Sequence, residues 1–93
     1  MTRSKMEQYL SILEALVCRP LEFEVILYQV DQEWPIIKKH LDFLVSNGLV
    51  EKLPLDARRI VYAITDRGSL VLKGLRGQEY LEEHEHLLLV YEE

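Results

Sequence analysis

Apolar residues at the start of the chain recur at helical spacing, which predicts a first helix over about residues 4–17. Ser4 is placed to cap this helix, with Glu7 at the capping-box position three residues later. Pro20 ends the helix, and we expect Cys18, close to that end, to be a small core residue. The predicted buried stripe consists of Met6, Tyr9, Leu10, Leu13, Leu16 and Val17.

Two more apolar stripes follow. Residues 21–30 favour a second helix, although their β-branched content leaves a strand open. A third helix is predicted over about residues 34–47, with Pro35 in its first turn and Asn47-Gly48 as a left-handed C-cap. The stripe of the second helix is Phe23, Ile26, Leu27 and Val30, and that of the third is Ile37, Leu41, Leu44 and Val45.

The pattern then changes to strands. Residues 49–53 alternate, Pro54 and Asp56 mark a turn, and residues 59–64 form the returning strand. Thr65 is a good N-cap for a last helix that starts at Asp66 and ends near residue 91. Three helices, a two-strand hairpin and a long C-terminal helix predict an α+β fold, mostly α, of the winged helix-turn-helix type. The hairpin, about residues 51–64, is the wing of that fold.

The C-terminal helix repeats residues at alternating spacings of four and three, the pattern of a coiled-coil interface. Its two glycines would let a second helix approach closely, and the apolar run at residues 87–91 needs a partner surface. We therefore expect a homodimer, although the helix could instead cover its own domain or break at the glycines. The predicted dimerisation residues are Leu70, Gly74, Gly77, Leu81, His84, Leu88 and Tyr91.

Charge divides the chain into two parts. Of the net charge of −5, residues 79–93 contribute six acidic side chains and no Lys or Arg. Residues 1–78 carry 11 basic and 10 acidic side chains, and a nearly neutral domain can bind DNA if its basic groups share a face. We therefore predict a winged-helix domain at residues 1–78 and an acidic helical extension at residues 79–93.

Composition restricts the class of protein. The 93 residues suit one domain, and 48% apolar residues argue against disorder. A single cysteine forms no internal disulfide, and we find neither a signal peptide nor an apolar run long enough for a membrane. The sequence has no phosphate loop, nucleophile elbow or paired Cys/His spacing. We expect a soluble, cytoplasmic protein without enzymatic activity, cofactor, metal or membrane partner.

Two motifs resemble those of small archaeal winged-helix regulators. LDFLVSNGLVE at residues 41–51 matches the join between recognition helix and wing, and YAITDRG at residues 62–68 matches the join between wing and last helix. The resemblance covers about residues 6–76. Similar proteins include MarR-like and PadR-like repressors and dimeric archaeal chromatin-type proteins, which pair through a long C-terminal helix. The resemblance implies a dimeric, double-stranded DNA-binding protein that acts as a transcriptional regulator.

In such regulators the third helix enters the major groove and the wing contacts the backbone or the minor groove. The residues that this implies here are Lys38, Lys39, His40, Lys52, Arg58 and Arg59. Lys39 lies off the apolar stripe and should be exposed, whereas Lys38 lies at its margin. From the residues alone, these cations could also form an ordinary solvated face.

The start of the third helix departs from that pattern. Residues 32–36 are acidic and apolar, and they offer no Arg, Asn or Ser to a base edge. We expect Trp34, Ile36 and Phe43 to pack against the second helix or the wing, but they could instead form a surface for a protein partner. The alternative function is therefore a winged-helix module for protein–protein contact in a transcription or replication complex. His84 and His86 point to different helix faces, and we interpret them as surface residues.

Overall fold

A computed structural model describes the backbone of residues 4–83 and the side chains of residues 4–76. The elements are α1 (Lys5–Ala15), α2 (Phe23–Val30), α3 (Trp34–Ser46), β1 (Val50–Pro54), β2 (Ile60–Ile64) and α4 (Asp66–Glu83). This order confirms the predicted three helices, hairpin and last helix. The predicted fold class, a mostly helical winged helix-turn-helix, is therefore correct.

Helix α1 begins as expected and ends early. The Ser4 hydroxyl accepts a hydrogen bond from the Glu7 backbone N–H at 3.1 Å, which satisfies one of the free donors of the first turn. The helix stops at Ala15, before the predicted residue 17. Cys18 lies beyond the helix and is exposed, so the prediction that it is a core residue was wrong.

Helix α2 starts two residues later than predicted because Leu21 pairs with the second strand. The Leu21 N–H donates to the Tyr62 carbonyl at 3.0 Å, and the Tyr62 N–H donates to the Leu21 carbonyl at 2.8 Å. Extended backbone at this point is limited to that one bridge, and residues Phe23–Val30 are helical. The helix ends at Asp31 in the left-handed conformation, with φ of 59°.

The α3–β1 turn has the predicted left-handed cap. Gly48 takes a φ of 74°, which a glycine adopts without a Cβ clash, and the Leu49 N–H donates back to the Leu44 carbonyl at 2.9 Å. The two strands then pair antiparallel from Val50 opposite Ile64 to Pro54 opposite Ile60.

Helix α4 is capped by Thr65, whose hydroxyl oxygen accepts from the Gly68 N–H at 3.0 Å. The same hydroxyl donates to the Gly48 carbonyl at 2.6 Å and so ties the start of α4 to the end of α3. The helix continues through Gly74 and Gly77 to Glu83, so the alternative in which the glycines break it was wrong. It crosses position 78 without interruption, and a domain boundary there stays a prediction. The expected dimerisation residues His84, Leu88 and Tyr91 lie outside the described residues.

The core lies between α1, α2, α3 and the hairpin. Its most deeply buried side chains are Ile12, Leu13, Leu16, Ile26, Ile37, Leu41, Leu44 and Val50. Helix α4 covers one side of this core with Leu72 and Leu75. Arg76 also joins α4 to α1, because its guanidinium lies 2.6 Å from the Glu14 carboxylate and 3.1 Å from that of Glu7.

Candidate nucleic-acid interface

The surface of α3 that faces away from the core carries two lysines in different states. Lys39 is exposed, as predicted from its place off the apolar stripe. Lys38 is half-buried at the stripe's margin, and its Nζ lies 3.0 Å from the Asp42 carboxylate one turn later. The hydrogen bond to Asp42, and then the attraction of that carboxylate, raise the pKa of Lys38. Lys38 therefore keeps its positive charge, which the neighbouring Asp42 carboxylate partly offsets.

His40 is not part of this outward surface. Its side chain is only 6% exposed. Nε2 lies 2.5 Å from Gln8 Oε1, to which it donates in the neutral ring, and the ring meets Tyr9 edge-on at 4.8 Å. Burial, and then the charges of Lys5 and Lys39, lower the pKa of His40. The prediction that His40 contacts DNA is corrected here, because the ring is packed between α1 and α3.

The hairpin turns one face toward α3. Lys52 and Tyr62 are opposite each other in the strand register and therefore share a face of the hairpin. Tyr62 is buried, and it lies close enough to Lys38 and Asp42 for their charges to act on its hydroxyl. Burial is the main cause that raises the pKa of Tyr62. Lys52 is thus on the hairpin face of Tyr62, the residue on which Lys38 acts, and its side chain is exposed.

The two arginines at the tip of the wing, Arg58 and Arg59, differ in their partners. Asp56 Oδ1 accepts from the backbone N–H groups of Arg58 at 3.0 Å and Arg59 at 2.9 Å, and these bonds close the turn. The Arg59 guanidinium also lies 2.8 Å from Asp56 Oδ2 and 3.9 Å from Glu22. These bonds lower the pKa of Asp56, the Arg58 backbone contact foremost. Within the described part of the chain, no acidic group pairs with the Arg58 guanidinium, which is therefore the more available of the two.

One cation of this surface was missed from the sequence. Lys5, the first residue of α1, lies near enough to His40 for its charge to act on the ring together with that of Lys39. The helical spacing places Lys5 on the same side of α1 as Gln8 and Tyr9. The sequence contains no signal that this side of α1 borders α3, because the contact depends on tertiary packing.

Three apolar side chains on α3 are exposed to different extents. Trp34 is 60% exposed, and Ile36 is also exposed. Phe43 packs against α1, where its ring is stacked on Tyr9 at 4.7 Å with an angle of 10° between planes. The ring contact that the structure gives for Phe43 is thus with α1 and not with the expected α2 or wing, and for Trp34 and Ile36 the expected packing stays a prediction.

Helix α4 has an open face as well as a packed one. Leu70 is 70% exposed, and a Cβ built on Gly74 would meet no atom within 4 Å. Both positions lie on one side of the helix, four residues apart, whereas Leu72 and Leu75 face the core. The backbone of Gly77 and Leu81, the next predicted dimerisation positions, is helical.

Two searches over the described residues bear on other site types. No group of three or more His, Cys, Asp or Glu side chains in that part of the chain is placed to hold a metal ion. None of its helices is both long enough and apolar enough to cross a membrane.

Comparisons with known proteins agree with this arrangement of helices and hairpin. A family model described as winged helix-turn-helix matches residues 2–83. The chain belongs to the winged helix-turn-helix family. A comparison with curated protein sequences gives no significant match.

Several solved structures share this winged-helix fold. Sso10a-2, a DNA-binding protein from Sulfolobus solfataricus, is 24% identical with a TM-score of 0.72, over 97% of this chain and 90% of its own. The transcriptional regulator BldR of the same organism is 26% identical with a TM-score of 0.69, over 91% of this chain and 69% of its own. The homodimeric DNA-binding domain of Mb0332 from Mycobacterium bovis is 26% identical with a TM-score of 0.65, over 84% and 74%.

Proposed function

We propose that this winged-helix protein is a transcriptional regulator that binds duplex DNA as a homodimer, with α3 in the major groove and the wing on the backbone or minor groove. The observation that carries the proposal is the placement of Lys52 on the hairpin face that turns toward α3. In the proposed complex, Lys52 and Lys38 would contact the same stretch of duplex. BldR, a transcriptional regulator, and the DNA-binding domain of Mb0332 support the same function by similarity. The proposal includes no catalytic activity.

The partners of the basic residues change which of them we propose as direct DNA contacts. Lys39, Lys52 and Arg58 are exposed and have no carboxylate partner among the described residues, so we propose them as the direct phosphate contacts. Lys38 would contribute once it leaves Asp42. Arg59 holds the tip in shape through Asp56 and is proposed as a positioning residue.

Sequence discrimination by α3 is proposed to be weak. Its exposed polar positions are Lys39, Asp42 and Ser46, and Asp42 is occupied by Lys38. The side-chain amide of Asn47 donates to the Phe43 carbonyl at 2.8 Å and so is also occupied. Few donors remain for base edges, and most of the affinity would come from phosphate contacts.

The homodimer is proposed to form along the open face of α4. Leu70 and Gly74 lie on that face, and the predicted stripe continues through Gly77 and Leu81 on the same helix. An apolar residue followed one turn later by a glycine lets a second helix come close. The homodimeric state of the Mb0332 domain supports this part of the proposal.

The experiment that tests DNA binding is a salt titration on random-sequence duplex. Lys39→Gln, Lys52→Gln and Arg58→Gln each remove one charge from the proposed surface. Each should weaken binding on all sequences alike and lower the slope of log K against log salt by about 0.9 for each phosphate contact that the dimer loses. Arg19→Gln is the matched control, because it removes one exposed cation from the turn between α1 and α2. Equal effects for all four variants, or unchanged slopes, would contradict the proposed surface.

A protein-binding module is the second candidate, and the exposure of Trp34 favours it. A large aromatic side chain that is 60% exposed at the start of α3 suits the centre of a protein interface. In that case Trp34→Ala would abolish partner binding while the circular dichroism spectrum stays unchanged. Loss of duplex affinity in Lys52→Gln, together with unchanged duplex affinity in Trp34→Ala, would favour the DNA-binding function.

A further inference from the structure

A groove of about 490 Å³ lies between α1 and α3, beside the proposed duplex surface. Its apolar wall is formed by Tyr9, Ile36 and Phe43, and Lys5, Gln8 and Lys39 line its polar edge. Its size is within the range of ligand sites in proteins, roughly 300–1,000 Å³. The duplex-binding function uses only Lys39 of this groove.

The wall offers a surface for stacking. Phe43 and Tyr9 are parallel, with their ring centroids 4.7 Å apart, so Tyr9 covers one side of the Phe43 ring and holds its orientation. Phe43 nevertheless remains 45% exposed. The exposed part of Phe43 is therefore available for contact with a flat aromatic group.

The polar edge combines cations with a free amide. Lys5 and Lys39 both line the groove, and the charges of both lower the pKa of His40. Gln8 uses its Oε1 to accept from His40, and its Nε2 group donates to no residue that the structure describes. Two ammonium groups suit phosphates, and the amide N–H groups suit a carbonyl oxygen on a ring.

We propose that this groove binds an unpaired nucleotide of single-stranded DNA, with its base stacked on Phe43 and its flanking phosphates on Lys5 and Lys39. The combination of an aromatic platform with backbone cations is the one that single-strand binding requires. Gln8 would favour bases that carry a carbonyl oxygen, such as thymine, over adenine. This activity goes beyond the duplex binding proposed above.

The open shape of the groove favours a strand over a small molecule. Sites for small molecules enclose about 70–90% of the ligand surface. Here Phe43 and Ile36 stay exposed, so a small aromatic acid would keep much of its surface in water. A strand needs no enclosure, and Lys39, which belongs to both surfaces, gives it a continuous path from a bound duplex.

The test is fluorescence anisotropy of the full chain with a labelled ten-nucleotide thymidine strand and with a blunt random duplex. Phe43→Leu keeps apolar bulk but removes the ring, and it should weaken strand binding at least about fivefold, the low end of one base–aromatic stack. Tyr28→Leu is the control, because it removes another exposed ring, on α2. Lys5→Gln should lower the salt slope for the strand by about 0.7.

A spectroscopic readout covers the case in which Phe43→Leu disturbs folding. Titration of the unmodified chain with the strand should shift the Gln8 side-chain amide signals in nitrogen–proton correlation spectra, and Lys5→Gln should weaken that shift. Unmoved Gln8 signals, or equal strand affinities in Phe43→Leu and Tyr28→Leu, would overturn the proposal. Displacement of the strand by benzoate at the concentration at which benzoate itself moves Gln8 would also overturn it, in favour of a small aromatic anion.

The two proposals fail separately. Lys52→Gln and Arg58→Gln should weaken the blunt duplex and leave the thymidine strand within about twofold, because neither residue lines the groove. If the blunt duplex does not bind but the strand does and depends on Phe43, duplex recognition fails and the groove proposal stands. If the blunt duplex binds but strand binding does not depend on Phe43, the groove proposal fails and the duplex proposal stands.

Discussion

Gly68 in α4 lies so close to the carbonyl oxygen of Leu49 that a side chain of any size would overlap it. A Cβ on Gly68 would also lie 2.8 Å from Cγ1 of Ile64, well inside ordinary contact. The backbone of α4 is thereby held directly against the α3–β1 turn and the end of β2. This contact sets the position from which α4 runs along α1.

Gly68→Ala should therefore destabilise the fold even though alanine is the better helix former. We expect a loss of about 1–3 kcal/mol in the free energy of unfolding, since a buried backbone atom has little room to move. Chemical denaturation at one fixed protein concentration measures it. Gly74→Ala is the control, because no described atom of the single chain lies within 4 Å of that position; at a protein concentration low enough for the monomer, it should be neutral or stabilising by up to about 1 kcal/mol. Equal stability of both variants would contradict the contact.

His40 should make the stability of the fold fall in mild acid. Burial, followed by Lys5 and Lys39, lowers the pKa of His40 below its ordinary value of 6.5. The unfolded chain then binds more protons at this group than the folded one, so the stabilisation is complete above pH 6.5 and is lost as the pH falls through the folded pKa. His40→Gln keeps an N–H donor for Gln8 but cannot titrate, and its stability should depend less on pH between 7 and 5, roughly the range in which histidine titrates. Parallel curves for the two proteins would contradict this.

The bridge from Arg76 to Glu7 and Glu14 should contribute modestly and in a salt-dependent way. All three side chains are partly exposed, so water screens their attraction. Arg76→Gln should lower the free energy of unfolding by about 1 kcal/mol at low salt and by less in about 1 M salt. Lys73→Gln, an exposed cation on the same helix, is the control. A loss that salt does not reduce would indicate packing rather than charge.

Local periodicity in the sequence was enough to predict the order of elements. Ile37, Leu41 and Leu44 repeat at helical spacing and are fully buried, and the caps at Ser4 and Thr65 follow from local backbone chemistry. The start of α2 could not be predicted in this way, because it is set by the pairing of Leu21 with a strand that lies far along the chain.

The candidate site was less predictable, for a similar reason. His40 is three residues after Ile37 and four before Leu44, so helical geometry alone places it beside the buried stripe. Its basic character nevertheless suggested a contact with DNA. Arg59 was treated like Arg58, although Asp56 is three residues away and within reach in a tight turn. Helical periodicity identifies exposed positions, but only tertiary packing determines which exposed cations remain unpaired.

The proposed dimer predicts a change of mass when the open face of α4 is altered. Leu70→Arg puts a charge at a position that is 70% exposed in the single chain, so the monomer should stay folded. In light scattering, we expect the unmodified chain to be a dimer and the variant a monomer. Tyr28→Arg, at an even more exposed site on α2, should remain dimeric. An unmodified chain that is monomeric at high micromolar concentration would exclude this interface.

Asp42 should act against DNA binding, because its carboxylate offsets the positive charge of Lys38 on the proposed surface. It pairs with Lys38 at 3.0 Å and adds a negative charge to α3. Asp42→Asn should therefore tighten duplex binding on all sequences, by about two- to fivefold at low salt, a range typical of one exposed charge pair. The gain should shrink as salt rises, since the Debye length shortens.

Two further variants show whether the gain comes from Lys38. Glu51→Gln removes one exposed acid from β1 at the position next to Lys52, where alternate side chains of a strand point to the opposite face. It should change affinity less than Asp42→Asn, because it frees no lysine. In the double variant Lys38→Gln with Asp42→Asn, most of the gain should disappear, because the freed ammonium group is then absent. A gain that survives in the double variant would mean that Asp42 acts only through its own charge, and Lys38 would then be removed from the proposed DNA contacts.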